Sequence, residues 1–334
     1  LLDLETLNKN LEGQKNQLMK FLDFENIPNA ASIVNNYDWF KNWHFLDFIR
    51  DVGKHITVSY MMGKDSVKNR LEAGGLSFTE FSYQLVQGYD FYHLYQNMGC
   101  KLQMGGSDQW GNITTGTELI RRMAGGDAYA VTASLITKSD GTKFGKSEGG
   151  NIWLDPKKTS PFAFYQFWLN IADEDAKRFI KIYSLKSREE IEALIAAHEG
   201  NEFQRNLQRA LAEEMTERVH SKEALDLAVK ATQVFFGNGT SEDLLSLDES
   251  TLESSLQGME KFVISRSSID AGISILDLVA VETSIFTSKG EARKMISANG
   301  FSINKEKYSN VDGVIDSDHL IHKRFLIAQK GKKN

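Results

Sequence analysis

Leu4, Leu7, Leu11, Leu18, Phe21 and Leu22 recur mostly at three- and four-residue steps among polar residues, so the chain should open as an amphipathic helix. A small polar break over 29–36 precedes a second helical run over 38–52. A third helix spans 79–95, with Thr79 as its expected N-cap, and ends at 97–99. Residues 101–104 are short enough for a strand, Gly105-Gly106 breaks the chain, and 111–123 returns to helical spacing. The β-branched, apolar stretch 131–137 reads as a second strand, and 139–150 as a Gly/Lys/Ser loop. Strands separated by helices indicate an α/β layer over 1–150, although two or three strands are too few for a stable parallel sheet. From 160 to about 260 the pattern is nearly all helical, clearest over 187–198, 202–220 and 222–236, with a polar, punctuated stretch at 237–255. Beyond 271 the character changes again, to a helix over 290–299 and short alternating segments at 300–304 and 319–329.

Composition narrows the class. The 334 residues are 41% hydrophobic and 25% charged, as in ordinary globular proteins, with room for two or three domains. No run approaches the roughly 18 apolar residues of a membrane span, so no membrane partner is expected. The single cysteine, Cys100, cannot form an internal disulfide, which fits a reducing cytoplasm. One Cys builds no thiolate zinc site, and the 7 His show no metal-ligand spacing. Net charge is −6, yet residues 271–334 hold ten basic against seven acidic residues. A basic tail on an acidic body is either an ordinary solvated surface or a polyanion contact.

Three motifs carry chemistry. Lys143-Phe144-Gly145-Lys146-Ser147 puts two compact cations around a glycine, suited to phosphate oxygens, though a solvated loop has the same composition. It is not a Walker loop. Gly105-Gly106-Ser107-Asp108-Gln109-Trp110-Gly111-Asn112 falls between a strand end and a helix start, where ligands sit in open α/β sheets. There Asp108 either caps a turn or accepts from a ribose hydroxyl. Tyr83, Gln87 and Asp90 lie within about 60° of one another at about 100° per residue. On a largely buried helix their polar groups need partners, either internal ones or a small zwitterionic ligand.

In this order and spacing, the helix containing YQLVQGYD, then GGSDQWGN, then KFGKS, resemble bacterial tyrosyl-tRNA synthetases of class I. KFGKS looks like that family's form of the "KMSKS" loop, and GEARKMISANGFSIN (290–304) resembles an S4-type RNA-binding domain. The resemblance covers essentially the whole chain. It implies a partial Rossmann-like α/β catalytic domain over 1–150, an α-helical tRNA-binding domain over 151–262, and a small α+β S4-like domain over 271–334. It implies that Asp90 accepts the phenolic hydroxyl of tyrosine, that Tyr83 and Gln87 hold its α-amino group, and that Gln109 lies beside its carboxylate, with Asn36 behind the pocket. Gly105, Gly106 and Asp108 would hold the ATP ribose; Lys143, Lys146 and Ser147 would grip the pyrophosphate. Arg293, Lys294, Lys323 and Arg324 would meet tRNA. ATP with Mg²⁺ would be the substrate complex, with tyrosine and tRNA(Tyr) as the other partners, no resident metal and a homodimeric assembly.

One departure stands out. Class I synthetases carry an HxGH motif, and none of His44, His55, His93, His198, His220, His319 and His322 fits one. Residue 1 is Leu. The chain therefore reads as a piece of a longer enzyme, expected to lack adenylate formation by itself. The rival readings are a synthetase-derived RNA-binding protein without catalysis and a tryptophanyl relative; Asp90 on a YxxxQxxD helix favours a phenol over an indole.

Overall fold

The computed structural model describes residues 3–25, 27–142, 144–147, 150–256 and 259–331, with only the backbone of Lys146, Ser147 and Gly150. Helix α1 (Leu4–Leu18) starts where the Asp3 carboxylate accepts from the Thr6 amide, and it buries none of its residues. The chain divides into two compact units: Leu22–Phe144, and Leu1–Phe21 with Gly145–Asn334.

In the unit Leu22–Phe144, the helix expected over 38–52 is two: α2 (Tyr37–Phe40) and α3 (Phe45–Asp51), with His44 in extended conformation between them. The reason is packing. Phe40, Trp43 and Phe48 all stack around the Tyr89 ring, at centroid distances of 5.5, 5.6 and 5.6 Å. On one straight helix these positions would spread over more than a single core-facing stripe. Short helices α4 (Val58–Met62) and α5 (Asp65–Glu72) follow.

Helix α6 (Phe78–Met98) starts from Ser77, not Thr79: Ser77 and Glu80 form a reciprocal capping box that satisfies two orphan amides. It ends at Gly99, whose φ of 66° needs no side chain. Strand β1 (Leu102–Gly106), helix α7 (Trp110–Ala124) and strand β2 (Tyr129–Ala133) form one β–α–β unit, the strands parallel with Leu102 opposite Tyr129 and Gly106 opposite Ala133. The second strand stops short of residue 137, because β1 turns away into α7 and leaves nothing to pair with. Helices α6 and α7 meet closely through Gly88 and Gly116; a Cβ on Gly116 would lie 2.8 Å from the Phe91 Cβ. The core behind this helix pair gathers Phe48, Val52, Ile56, Met61, Leu85, Tyr89 and Leu119.

The other unit opens with a hairpin of β3 (Lys146–Ser147) and β4 (Gly150–Asn151). Helices α8 (Pro161–Leu169), α9 (Asp173–Tyr183), α10 (Arg188–His198), α11 (Asn206–Val219) and α12 (Lys222–Phe236) bury Phe164, Phe179, Leu207, Leu211 and Ala231 between them. The helix expected over 202–220 begins only at Asn206. Arg205 takes φ 52° and donates its guanidinium to the Leu169 and Ile171 carbonyls, capping the end of α8. The polar stretch 237–255 holds α13 (Ser241–Leu245) and α14 (Glu249–Ser255), capped by Thr240 and Asp248.

Helix α15 (Arg266–Asp270) leads into β5 (Ile273–Ser274) and α16 (Ile275–Asp277), which runs on as a π-helical turn over Leu278–Glu282. Then come α17 (Lys289–Ser297), β6 (Phe301–Ile303), β7 (Glu306–Lys307), β8 (Val314–Ile315) and β9 (Ala328–Lys330). β6 is the middle strand between β7 and β9, and β5 pairs β8, all antiparallel. Ile275, Leu278, Val279, Phe286, Ile296, Phe301 and Ile315 fill this small core. Its outer loop is tied to α14: His322 bonds the Leu247 carbonyl at 2.7 Å, and Arg324 reaches Glu249 and Glu253, each at 3.0 Å. Among the described residues no helix is long and apolar enough to cross a membrane.

Candidate active site

The site residues of the first unit come from α2, α6 and the β1–α7 turn. Asp90 is half-buried on α6 and each of its carboxylate oxygens accepts one bond: Asn36 Nδ2 donates to Oδ2 at 3.2 Å, and Trp39 Nε1 donates to Oδ1 at 2.9 Å. A carboxylate has about four lone-pair positions, so an acceptor position remains on each oxygen. Burial pushes the Asp90 carboxyl above the usual carboxylate range, and the Trp39 and Asn36 bonds and the nearby His93 pull against that shift.

One turn back on the same face, Gln87 begins a chain of amides. Asn112 Nδ2 donates to Gln87 Oε1 at 3.0 Å and lies 3.5 Å from Gln109 Oε1; Gln109 Nε2 donates to Asp108 Oδ2 at 2.9 Å. The β1–α7 turn is glycine for reasons of space. A Cβ on Gly106 would fall 2.5 Å from Asp108 Oδ1, and one on Gly105 would fall 3.1 Å from Ile113 Cδ1. Asp108 therefore stays exposed at the strand end with a free approach over the backbone. Tyr83 shares the α6 face but is 57% exposed, away from the bonded groups.

Sequence reasoning missed Trp39 and Asn112. Trp39 sits three residues after Asn36, on the same turn, and Asn112 three residues after Gln109; each spacing places the pair side by side. The β3 hairpin holds the Lys146 and Ser147 backbone against Asn151 and Gly150. Lys143 lies outside the described residues. In the C-terminal region Arg293 and Lys294 are exposed on α17, Lys323 is exposed with φ 57°, and Arg324 is engaged by Glu249 and Glu253. Among the described residues no cluster of three or more His, Cys, Asp or Glu could hold a metal.

Comparison with known proteins places this arrangement. The family model for class I tRNA synthetases of the W and Y type matches residues 2–237, and the SYY-like C-terminal domain of tyrosine–tRNA ligase matches 252–334. A tyrosine–tRNA ligase of Porphyromonas gingivalis is 58% identical over 338 residues, covering 100% of this chain and 79% of the relative. That of Bacteroides thetaiotaomicron is 57% identical with the same coverage, and that of Flavobacterium johnsoniae 53% identical, with 78% of the relative covered. Among solved structures, a C-terminally truncated mitochondrial tyrosyl-tRNA synthetase of Coccidioides posadasii is similar with a TM-score of 0.56 at 26% identity, over 69% of this chain and 68% of that one. These relatives are tyrosine ligases, which decides against the tryptophanyl reading. The chain belongs to the class I tyrosyl-tRNA synthetases, the tyrosine–tRNA ligases.

Proposed function

We propose that the face carrying Gln87 and Asp90 is the tyrosine pocket of this ligase, with the Gly105–Asp108 turn as the ATP ribose site. The observation that carries this reading is Asp90: a half-buried carboxylate, bonded only by neutral donors, with acceptor positions left over. A phenolic hydroxyl supplies the missing donor. Gln87, with Tyr83 moving in over the face, would hold the α-ammonium, and Gln109 would lie beside the carboxylate. Lys143, Lys146 and Ser147 would meet the pyrophosphate of ATP, bound as its Mg²⁺ complex. The tyrosine carboxylate attacks the α-phosphorus in line; the P–O bond to pyrophosphate breaks and tyrosyl-adenylate forms. No protein nucleophile is needed, so catalysis is positioning plus stabilisation of phosphate charge. A terminal ribose hydroxyl of tRNA(Tyr) then attacks the adenylate carbonyl and AMP leaves. We place the divisions at 1–150, 151–262 and 271–334, with Arg293, Lys294 and Lys323 on the tRNA side, while Arg324 is engaged within the fold by Glu249 and Glu253. We further read the enzyme as a cytoplasmic homodimer.

The test is Asp90→Asn in the full-length enzyme, comparing kcat/KM for tyrosine and phenylalanine in pyrophosphate exchange. Phenylalanine would leave the remaining acceptor positions of this half-buried carboxylate unfilled, which is costly, so the ratio should collapse in the variant. An unchanged ratio with both values lowered equally would make Asp90 structural and the pocket assignment wrong.

A further inference from the structure

The Asp90 carboxylate is aimed by a group that is itself held from outside the pocket. Trp39 Nε1 donates to Asp90 Oδ1 at 2.9 Å, and the indole that carries this donor is fixed by a ring stack: it lies on the His93 imidazole with centroids 4.4 Å apart and planes 15° from parallel. His93 follows Asp90 by three residues on α6, so carboxylate and imidazole project from adjacent turns of one rigid helix. The imidazole is fixed in its turn. Asn97 Nδ2 lies 3.3 Å from His93 Nδ1 and donates to the His93 carbonyl at 2.9 Å. α2 is only four residues long and its N-cap Asn36 makes no capping bond, so Trp39 depends on its packing against the core and on the His93 stack for its orientation.

We propose that His93 and Trp39 form a positioning pair for tyrosine recognition: His93, stacked under the indole, holds Trp39 so that its N–H fixes the Asp90 carboxylate in the orientation that accepts the phenol. This rests on the reading of Asp90 as the phenol acceptor. His93 touches no substrate. It selects which way the acceptor points, and so acts on the choice between tyrosine and phenylalanine rather than on adenylate chemistry. A flat ring is what the stack requires, so a phenyl group should serve in place of imidazole.

The experiment measures pyrophosphate exchange by the full-length enzyme with tyrosine and with phenylalanine. Variants are Trp39→Phe, His93→Ala, His93→Phe and Asp90→Asn. Trp39→Phe keeps a ring but removes a hydrogen bond to a charged group, and should lower the tyrosine-to-phenylalanine ratio of kcat/KM about tenfold. His93→Ala should lower it about threefold, the scale of a single ring stack, with phenylalanine turnover and the KM for ATP unchanged. His93→Phe should restore the ratio to within about twofold of the parent. An unchanged ratio in Trp39→Phe or His93→Ala overturns the proposal, as does a His93→Phe variant no better than alanine. An equal fall for both amino acids also overturns it, because that marks a loosened fold. If His93→Ala does not fold, Trp39→Phe and His93→Phe still decide. Asp90→Asn separates the two readings: if it leaves the ratio intact, the pocket assignment fails; if it abolishes the ratio while the ring variants do nothing, only the positioning pair fails.

Discussion

The candidate pocket and the C-terminal region hold their carboxylates differently. In the C-terminal region several acidic groups meet cations. Lys330 reaches Glu291 at 2.8 Å and, with Thr287, holds its carboxyl down to about 2. Lys289 pairs Asp277 and holds its carboxyl below the usual range, and Arg324 spans Glu249 and Glu253. In the unit Leu22–Phe144, Glu118 follows the same pattern: Arg121, with help from Arg122, brings it to about 2. Asp90 does the reverse. Among the described residues it is bonded only by Asn36 and Trp39, and burial raises it. A carboxylate neutralised by arginine is finished as an interaction. One bonded by neutral donors keeps its charge and part of its acceptor capacity for a ligand. The tail shows the same rule for cations: Arg324 and Lys330 are paired internally, whereas Arg293 and Lys294 have no carboxylate partner among the described residues.

The largest effect is expected at Lys146, proposed above to meet the pyrophosphate. In that role its interaction would grow as charge develops on the leaving pyrophosphate, so it would act mainly in the transition state. Lys146→Ala should slow adenylate formation by about 10²–10³-fold with little change in tyrosine affinity. Normal turnover with only a raised tyrosine KM, measured by pre-steady-state adenylate formation, would remove Lys146 from that role.

Arg293 and Lys294 sharpen the comparison within the tail. Replacing both with alanine should weaken tRNA(Tyr) binding about tenfold at moderate salt and reduce the slope of log affinity against log salt by about 0.7–0.9 for each phosphate that is no longer neutralised. Arg324→Ala should leave that slope nearly unchanged and instead lower the melting temperature, since its carboxylate partners lie on α14. A slope that falls equally in both variants would mean that internal pairing does not predict which cations meet RNA.

Much of this is legible in residue order. The α6 helix, a strand after it and the helix that follows come from periodicity and glycines, although the strand runs on through Gly105 to Gly106 instead of breaking there. So does the 222–236 helix, observed as Lys222–Phe236. What escapes is tertiary. The split of 38–52 depends on three aromatic rings converging on Tyr89, which no local pattern records. The start of α11 depends on Arg205 capping a helix 36 residues away. Asn36 emerges as a companion of Asp90 only through the resemblance. Trp39 escapes because a tryptophan in an aromatic-rich run reads as core. The Ser77–Glu80 capping box is present in the sequence, but Thr79 two residues later competes with it as a cap.

Stability provides a smaller test of the contrast. The Glu118 carboxyl, normally near 4.5, sits at about 2 in the fold and is only 18% exposed. A depressed carboxyl stabilises the fold above its unfolded value and loses that contribution as pH falls towards about 2. Glu118→Gln should therefore destabilise at neutral pH, by on the order of 1 kcal/mol once screening around the exposed Arg121 is allowed for. It should also flatten the pH dependence of the melting temperature below pH 4.5. No change in melting between the parent and this variant would remove the pairing half of the comparison.

Asp90→Asn should do the opposite, and by the smallest margin. The Asp90 carboxyl is raised above its unfolded value of 3.8, so between those two values the folded protein binds more protons than the unfolded one. Stability then falls as pH rises through that window, and at neutral pH the ionised group costs the fold rather than supporting it. Asparagine removes the charge. Its carbonyl can still accept from Trp39, and the Asn36 amide can turn to meet its NH₂. The unliganded variant should therefore melt at the same temperature as the parent or slightly above it at pH 7, while the saturating tyrosine that raises the parent's melting point should have little effect on the variant. A clear drop in the unliganded melting temperature would place Asp90 with Glu118, as a carboxylate the fold uses for itself.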